Sequence, residues 1–163
     1  MVEQGLFEHE HIELICGVLV TMGPQGARHV ETIKRFNRLL MFALGTRAQV
    51  LVQSPLAVAD DSEPAPDLAV VPVRDYSAEV PSHAHLVVEV AEASLRKDRG
   101  VKAVLYAAAN IPEYWIADLT VDMIEVYTQP QTKGYGSVAR RQRGEVIAPV
   151  AFPEVRVAVV DVF

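Results

Sequence analysis

The stretch "HLVVEV", residues 85–90, constrains the fold more than any other. A strand with one face in water alternates apolar and polar residues, whereas here strand-forming apolar residues follow one another almost without a break. Such a run fits a strand covered on both faces of its sheet, and therefore a layered domain. Glu89 interrupts that run. An ionised carboxylate buried without a partner is costly, so Glu89 is expected to be paired, protonated or bound to a metal. A sheet-edge position, or an ion pair with Arg96 or Lys102, is the plain structural answer.

The other apolar segments are broken every few residues by Pro, Gly or charge, and none approaches the roughly 20 residues needed to cross a bilayer. Residues 12–22, "IELICGVLVTM", split around Cys16 and Gly17 into two β-like runs. Their spacing predicts a tight hairpin with Glu13 in its first strand. Residues 28–45 place Val30, Ile33, Phe36, Leu40, Phe42 and Leu44 at largely helical spacing, with Gly45 as the stop. "AQVLVQSPLAVA" reads as a strand bent near Pro55, "DDSEPAP" as a polar turn and "DLAVVPV" as the next strand. After "HLVVEV", residues 97–109 put Val101, Val104, Leu105 and Ala108 on one helical face, ended by Asn110 and Pro112. "EYWIADL" and "MIEVYT" are further strands, and the tail from "GYGSVARR" to "VRVAVVDVF" continues in β-like pieces. No repeat or long linker divides the chain. The order predicts one domain over residues 1–163, of α/β or α+β class, built around a mixed sheet.

At 163 residues, half of them apolar, the chain is long enough for one sizeable core. Its single cysteine, Cys16, makes no intrachain disulfide, and the acidic start "MVEQGLFEHEHIEL" lacks the basic and apolar regions of a signal peptide. A cytoplasmic protein is the expectation. The net charge of −6 argues against wrapping nucleic acid nonspecifically. Local basic clusters remain at Lys34, Arg35 and Arg38; at Arg96, Lys97, Arg99 and Lys102; and at Arg140, Arg141 and Arg143. Each alone reads as a solvated face. His9-x-His11 and His83-x-His85 each put two imidazoles on one side of a strand, yet no Cys or carboxylate completes a zinc pattern. There is no P-loop, no GxGxxG and no convincing Ser-His-Asp arrangement.

The second carboxylate of interest is Asp67 in "APDLAVV", at the mouth of a predicted strand. Alone, an Asp after Pro is a turn residue. Together with Glu89 in the next strand it converges on one place if the two strands are neighbours. Their hard oxygens would then suit Mg²⁺ or Mn²⁺, and an ion so held activates water for phosphate hydrolysis. Lys102 lies four residues after Asp98, so a surface ion pair between them is the plain account. If the helix packs back over the sheet, the long Lys102 side chain instead brings an ammonium to the carboxylates.

The stretches "IELICGVLVTM", "PDLAVV", "LVVEVAEAS", "KDRGVKAVLYAAANIPEYWIAD" and "FPEVRVAVVDVF" resemble, in order and spacing, the Uma2-like family, also called DUF820, from about Ile12 to Phe163. The resemblance implies a restriction-endonuclease-like fold of the PD-(D/E)XK nuclease superfamily: a mixed central β-sheet flanked by helices, with an N-terminal β-hairpin. It also implies a divalent-metal-dependent endonuclease that hydrolyses phosphodiester bonds in DNA. By resemblance the PD aspartate falls on Asp67, the strand glutamate on Glu89 and the helix lysine on Lys102, with Asp67 and Glu89 as ligands of Mg²⁺ or Mn²⁺. The superfamily's usual lysine position, two after the glutamate, holds Ala91. Glu13 falls on a hairpin glutamate, as an outer metal ligand or a holder of Lys102. His29 falls on a histidine opening the first long helix, as a phosphate contact or a cap. A homodimer with paired clefts would suit a cut across both strands. The chain departs from the family pattern at Gly17-Val18, where "GE" is usual, and at Glu92-Ala93-Ser94, where "SPS" is usual. An inactive nuclease-fold module that binds nucleic acid or protein is the alternative.

Overall fold

The computed structural model describes residues 11–163, so His9 of the first histidine pair lies outside the described residues. Strands β1 (Ile12–Ile15) and β2 (Val18–Thr21) pair antiparallel across Cys16 and Gly17. Both turn residues have positive φ, 50° and 76°. That conformation matches the twist of a two-residue hairpin, and Gly17 adopts it without a Cβ clash. Glu13 lies in β1, as predicted.

Helix α1 (Ala27–Leu44) ends at Gly45, whose φ is 57°. It buries Ile33, Phe36, Leu40 and Leu44, whereas Val30 is 42% and Phe42 92% exposed. A helix lying on a sheet offers it one stripe, and those two residues fall outside the stripe.

The main sheet has the order β3 (Gln49–Val52), β4 (Leu68–Val71), β5 (Leu86–Ala91), β6 (Glu113–Asp118), β7 (Met123–Gln131) and β8 (Gly134–Arg141). Neighbours are antiparallel except β5 and β6, which run parallel. Strands β4, β5 and β6 are buried along their whole length, as the near-continuous apolar runs require. Alternation splits their side chains between two cores. Leu68, Val70, Val88, Val90 and Trp115 pack with α1 on one face. Val87, Ala91, Tyr114 and Ile116 pack with Ala103 and Tyr106 on the other. Glu89 stands between Val87 and Ala91 on that second face. The sheet is thus mixed and covered on both faces, the predicted α+β arrangement.

Two predicted strands are corrected. The strand before Pro55 stops at Val52, because Gln53 turns to a φ of 46°. In the tail, β9 (Val146–Ile147) and β10 (Val157–Ala158) form a separate pair, but Val159–Val162 is a helical turn, α4, rather than a strand. An apolar run this short carries no period that distinguishes the two.

A parallel pair needs a crossover. Between β5 and β6 the chain forms α2 (Leu95–Lys97), a π-helical turn (Asp98–Lys102) and α3 (Ala103–Ala108). The predicted apolar face is corrected here as well. Val101 and Val104 are 40% and 43% exposed, Ala108 is exposed too, and the segment buries Lys102, Ala103, Tyr106 and Ala107 along with Leu105. The extra residue of a π turn shifts the helical frame, and carboxylates from elsewhere make burial of Lys102 possible. The surface ion pair between Asp98 and Lys102 does not form, since both side chains are buried and Lys102 contacts other acids. Among the described residues, no helix is long and apolar enough to cross a membrane.

Candidate active site

The antiparallel register that sets Leu68 opposite Val88 carries Asp67, one step further, to the level of Glu89. Asp67 is held on several sides. Its Oδ2 accepts the Val90 N–H at 2.8 Å, and its Oδ1 lies 3.2 Å from Gln53 Nε2 and 3.3 Å from His29 Nε2. The Gln53 backbone N–H also donates to the Asp67 carbonyl at 3.1 Å. Gln53 therefore grips Asp67 through main chain and side chain from a left-handed conformation, which costs a non-glycine residue on the order of 1 kcal/mol.

Glu89 Oε1 accepts Lys102 Nζ at 2.7 Å and the Tyr106 O–H at 2.9 Å. Four residues apart on one helix, Lys102 and Tyr106 share a face and reach the same oxygen. Among the described residues Glu89 Oε2 accepts nothing, yet it is not among the fully enclosed unpartnered atoms, so it stays open to the cleft. Lys102 Nζ also lies 2.6 Å from Glu13 Oε1, while Glu13 Oε2 takes Lys97 Nζ at 3.0 Å. Glu13 Oε1 further accepts the Ala65 N–H at 3.1 Å. Of its two predicted roles, Glu13 has the geometry of the holder of Lys102. His29 contacts Asp67 and does not cap α1, whose N-cap is Gly26.

Burial and charge act against each other in this cluster. Burial pushes the Glu13 carboxyl up, but Lys102 and Lys97 together bring it below its ordinary value. Burial raises Glu89 to about 8 against the opposing pull of Lys102, with Asp98, Asp67 and Glu13 adding to the rise. Burial alone would lower Lys102, but Glu89 and Glu13 hold it above its ordinary value, so it stays an ammonium. Burial also raises Asp98, which Lys102 only partly offsets.

Asp67, Glu89, Lys97, Asp98 and Lys102 line a cleft of about 200 Å³ whose other wall is formed by Gly23 to Gly26 and His29. Among the described residues, no three His, Cys, Asp or Glu side chains stand close enough to share a metal ion. A hydrated Mg²⁺ needs fewer protein ligands, since it keeps several waters and takes one or two carboxylates. Asp67 and Glu89 are the two strand-level carboxylates of the cleft that would serve such an ion. His83 and His85 meet edge to face at 5.9 Å and do not line this cleft.

Gln53, Tyr106, Lys97 and Asp98 belong to the same constellation and were not visible as site residues in the sequence. Tyr106 had a signal in its spacing from Lys102; Gln53 had none. The basic clusters are largely engaged with acids. Lys34 and Arg35 pair with Glu31, Arg99 and Arg140 with Glu125, Arg141 with Glu145 and Arg143 with Asp122.

A mixed sheet preceded by a hairpin, with one acid just before a central strand and one inside its neighbour, has the form of a restriction-endonuclease-like fold. A solved structure described as a putative nuclease belonging to DUF820, from Anabaena variabilis ATCC 29413, superposes with a TM-score of 0.76 at 13% identity, over 93% of this chain and 89% of that one. At that identity the likeness shows the fold. No curated protein matches the chain. Residues 4–160 match the Uma2 family, described as "Putative restriction endonuclease", and the chain belongs to that family.

Proposed function

We propose that this protein is a divalent-metal-dependent endonuclease acting on DNA, with Asp67 and Glu89 as metal ligands and Lys102 beside the reacting phosphate. The observation that carries the reading is that Asp67, Glu89 and Lys102, from three separate elements, meet at one cleft. Bound Mg²⁺ or Mn²⁺ would supply an activated water and charge stabilisation at the phosphate. The protein supplies orientation. Gln53, His29 and the Val90 N–H fix Asp67, while Tyr106 and Lys102 fix one oxygen of Glu89 and leave the other open. Lys102, kept charged by Glu13 and Glu89, stands ready to stabilise negative charge that grows in the transition state. The first turn of α1 carries no acidic residue and no side-chain cap, so its free N–H groups favour a phosphate at the cleft wall. On this reading residues 1–163 work as one cytoplasmic domain, and a homodimer would bring one cleft to each strand.

The test is cleavage of supercoiled plasmid with Mg²⁺ or Mn²⁺, with a chelator control, by the wild type, Asp67→Asn and Glu89→Gln. Nicking by the wild type that the chelator and both substitutions abolish is expected. Equal nicking by wild type and Glu89→Gln would overturn the assignment. The second reading, a binding module of the same fold, is favoured by Glu92, an exposed acid at the rim of the cleft. Absence of cleavage together with a melting temperature indifferent to Mg²⁺ would select it.

A further inference from the structure

Among the described residues, Asp98 alone has both side-chain oxygens fully buried and without a hydrogen-bond partner. It is 1% exposed and lines the same cleft as Asp67 and Glu89. A buried acceptor left unpaired is costly, and more so if it is charged. The obvious donor, Lys102, is committed elsewhere, at 2.6 Å to Glu13 and 2.7 Å to Glu89. The Ser94 hydroxyl approaches as a hydrogen-bond donor and lowers the Asp98 carboxyl, but it does not reach the geometry of a formed bond.

Asp98 is also held in place. The Tyr114 O–H donates to its carbonyl at 3.2 Å. The next residue, Arg99, is clamped by Glu125 at 3.0 Å and Asp118 at 2.8 Å. Asp98 opens the π turn, a distortion that concentrates at functional sites. The side chain is thus fixed at the wall of the cleft with both acceptors enclosed and unmet, and a donor for them has to come from what the cleft holds.

We propose that Asp98 binds the hydration shell of the divalent cation held by Asp67 and Glu89, accepting hydrogen bonds from the cation's waters. The inference rests on the metal-binding reading above. Contact through water, rather than direct ligation, is the form that agrees with the absence of any three His, Cys, Asp or Glu side chains close enough to share an ion among the described residues. It also explains how a cleft lined by the acids Asp67, Glu89, Glu92 and Asp98 and the bases Lys97, Lys102 and His29 is balanced: a hydrated dication neutralises the excess and supplies the missing donors. Outer partners of this kind tune metal affinity without touching the metal.

The experiment is calorimetric titration of Mg²⁺ into the wild type, Asp98→Asn and Glu92→Gln, with the metal-free melting temperature of each. Asp98→Asn is expected to weaken Mg²⁺ binding by about tenfold or more and to melt, without metal, no lower than the wild type. Glu92→Gln, which removes an exposed charge from the same cleft, should stay within about twofold of wild-type affinity because solvent screens it. Wild-type affinity in Asp98→Asn, or equal weakening in both variants, would overturn the proposal while leaving the metal site standing. A lower metal-free melting temperature in Asp98→Asn would make Asp98 a residue of the fold instead and would also overturn it. No binding by the wild type would overturn the metal-binding reading itself, and this inference with it.

Discussion

The helical segment after β5 carries two charged clusters, and only one of them is complete. Around Arg99, Glu125 is gripped by both arms of the guanidinium at 3.0 Å and also by the Tyr127 O–H at 2.9 Å. Arg140 adds a second cation 3.5 Å away. Asp118 takes Arg99 on one oxygen and Thr120 on the other. Every carboxylate oxygen there has a donor. Three residues further on, Lys102 serves Glu13 and Glu89, but Glu89 Oε2 and both oxygens of Asp98 have none among the described residues. An arginine fork that closes on a carboxylate suits a strut. The Lys102 ammonium, a point charge, serves two of the acids beside it and leaves Asp98 without a donor.

That contrast is broken most severely at Lys102. Replacing it with Met leaves Glu89 buried without its cation and Glu13 with Lys97 alone, and a loss of about 3–5 kcal/mol in urea unfolding is expected, together with loss of plasmid cleavage. A loss under about 1 kcal/mol, in the range of exposed pairs, would show that the two acids do not depend on Lys102. Arg99→Met should cost less, about 1–2 kcal/mol, because Arg99 is 40% exposed and water replaces part of its contribution. It should also lower Mg²⁺ affinity less than Asp98→Asn does. The reverse order in the same titration would mean that the two clusters are one.

The smallest effect is a pH dependence. Glu89 titrates near 8 in the fold, against about 4.3 in an unfolded chain, so the folded state keeps a proton that the unfolded state loses. Its contribution to stability is full below the ordinary glutamate range and falls away as pH rises towards 8. A cation competes for the same carboxylate, so the rise in melting temperature caused by Mg²⁺ should be larger at about pH 8.5 than at about pH 6. Glu89→Gln should flatten both trends, and a wild type whose Mg²⁺ response is larger at the lower pH would remove Glu89 from metal binding.

The frame of the molecule was legible because it depends on local signals. Continuous apolar runs announced β4, β5 and β6, the Cys16-Gly17 turn announced the hairpin, and Gly45 marked the end of α1. The helical face over residues 97–109 was misread for a related reason. Periodicity weighs each residue by its own polarity and so turned Val101 and Val104 inward, whereas the fold buries Lys102 beside an acid, Glu13, that lies far away in sequence. Gln53 and Asp98 were missed on the same grounds, since a polar residue reveals nothing locally about which partner a distant strand will bring, or fail to bring, to it.

By itself, then, the sequence determined the hairpin, the central strands, the first helix and, through its resemblance to a family, the identity of Asp67, Glu89 and Lys102 as the residues to watch. Only the tertiary structure decided that Glu13 holds Lys102, that Tyr106 and Gln53 orient the two strand acids, and that Asp98 is left without a donor. Apolar burial is an additive property of neighbouring residues and is written along the chain. The state of a buried charge is set by partners that other elements deliver, and those partners exist only once the sheet and its crossover have closed around them.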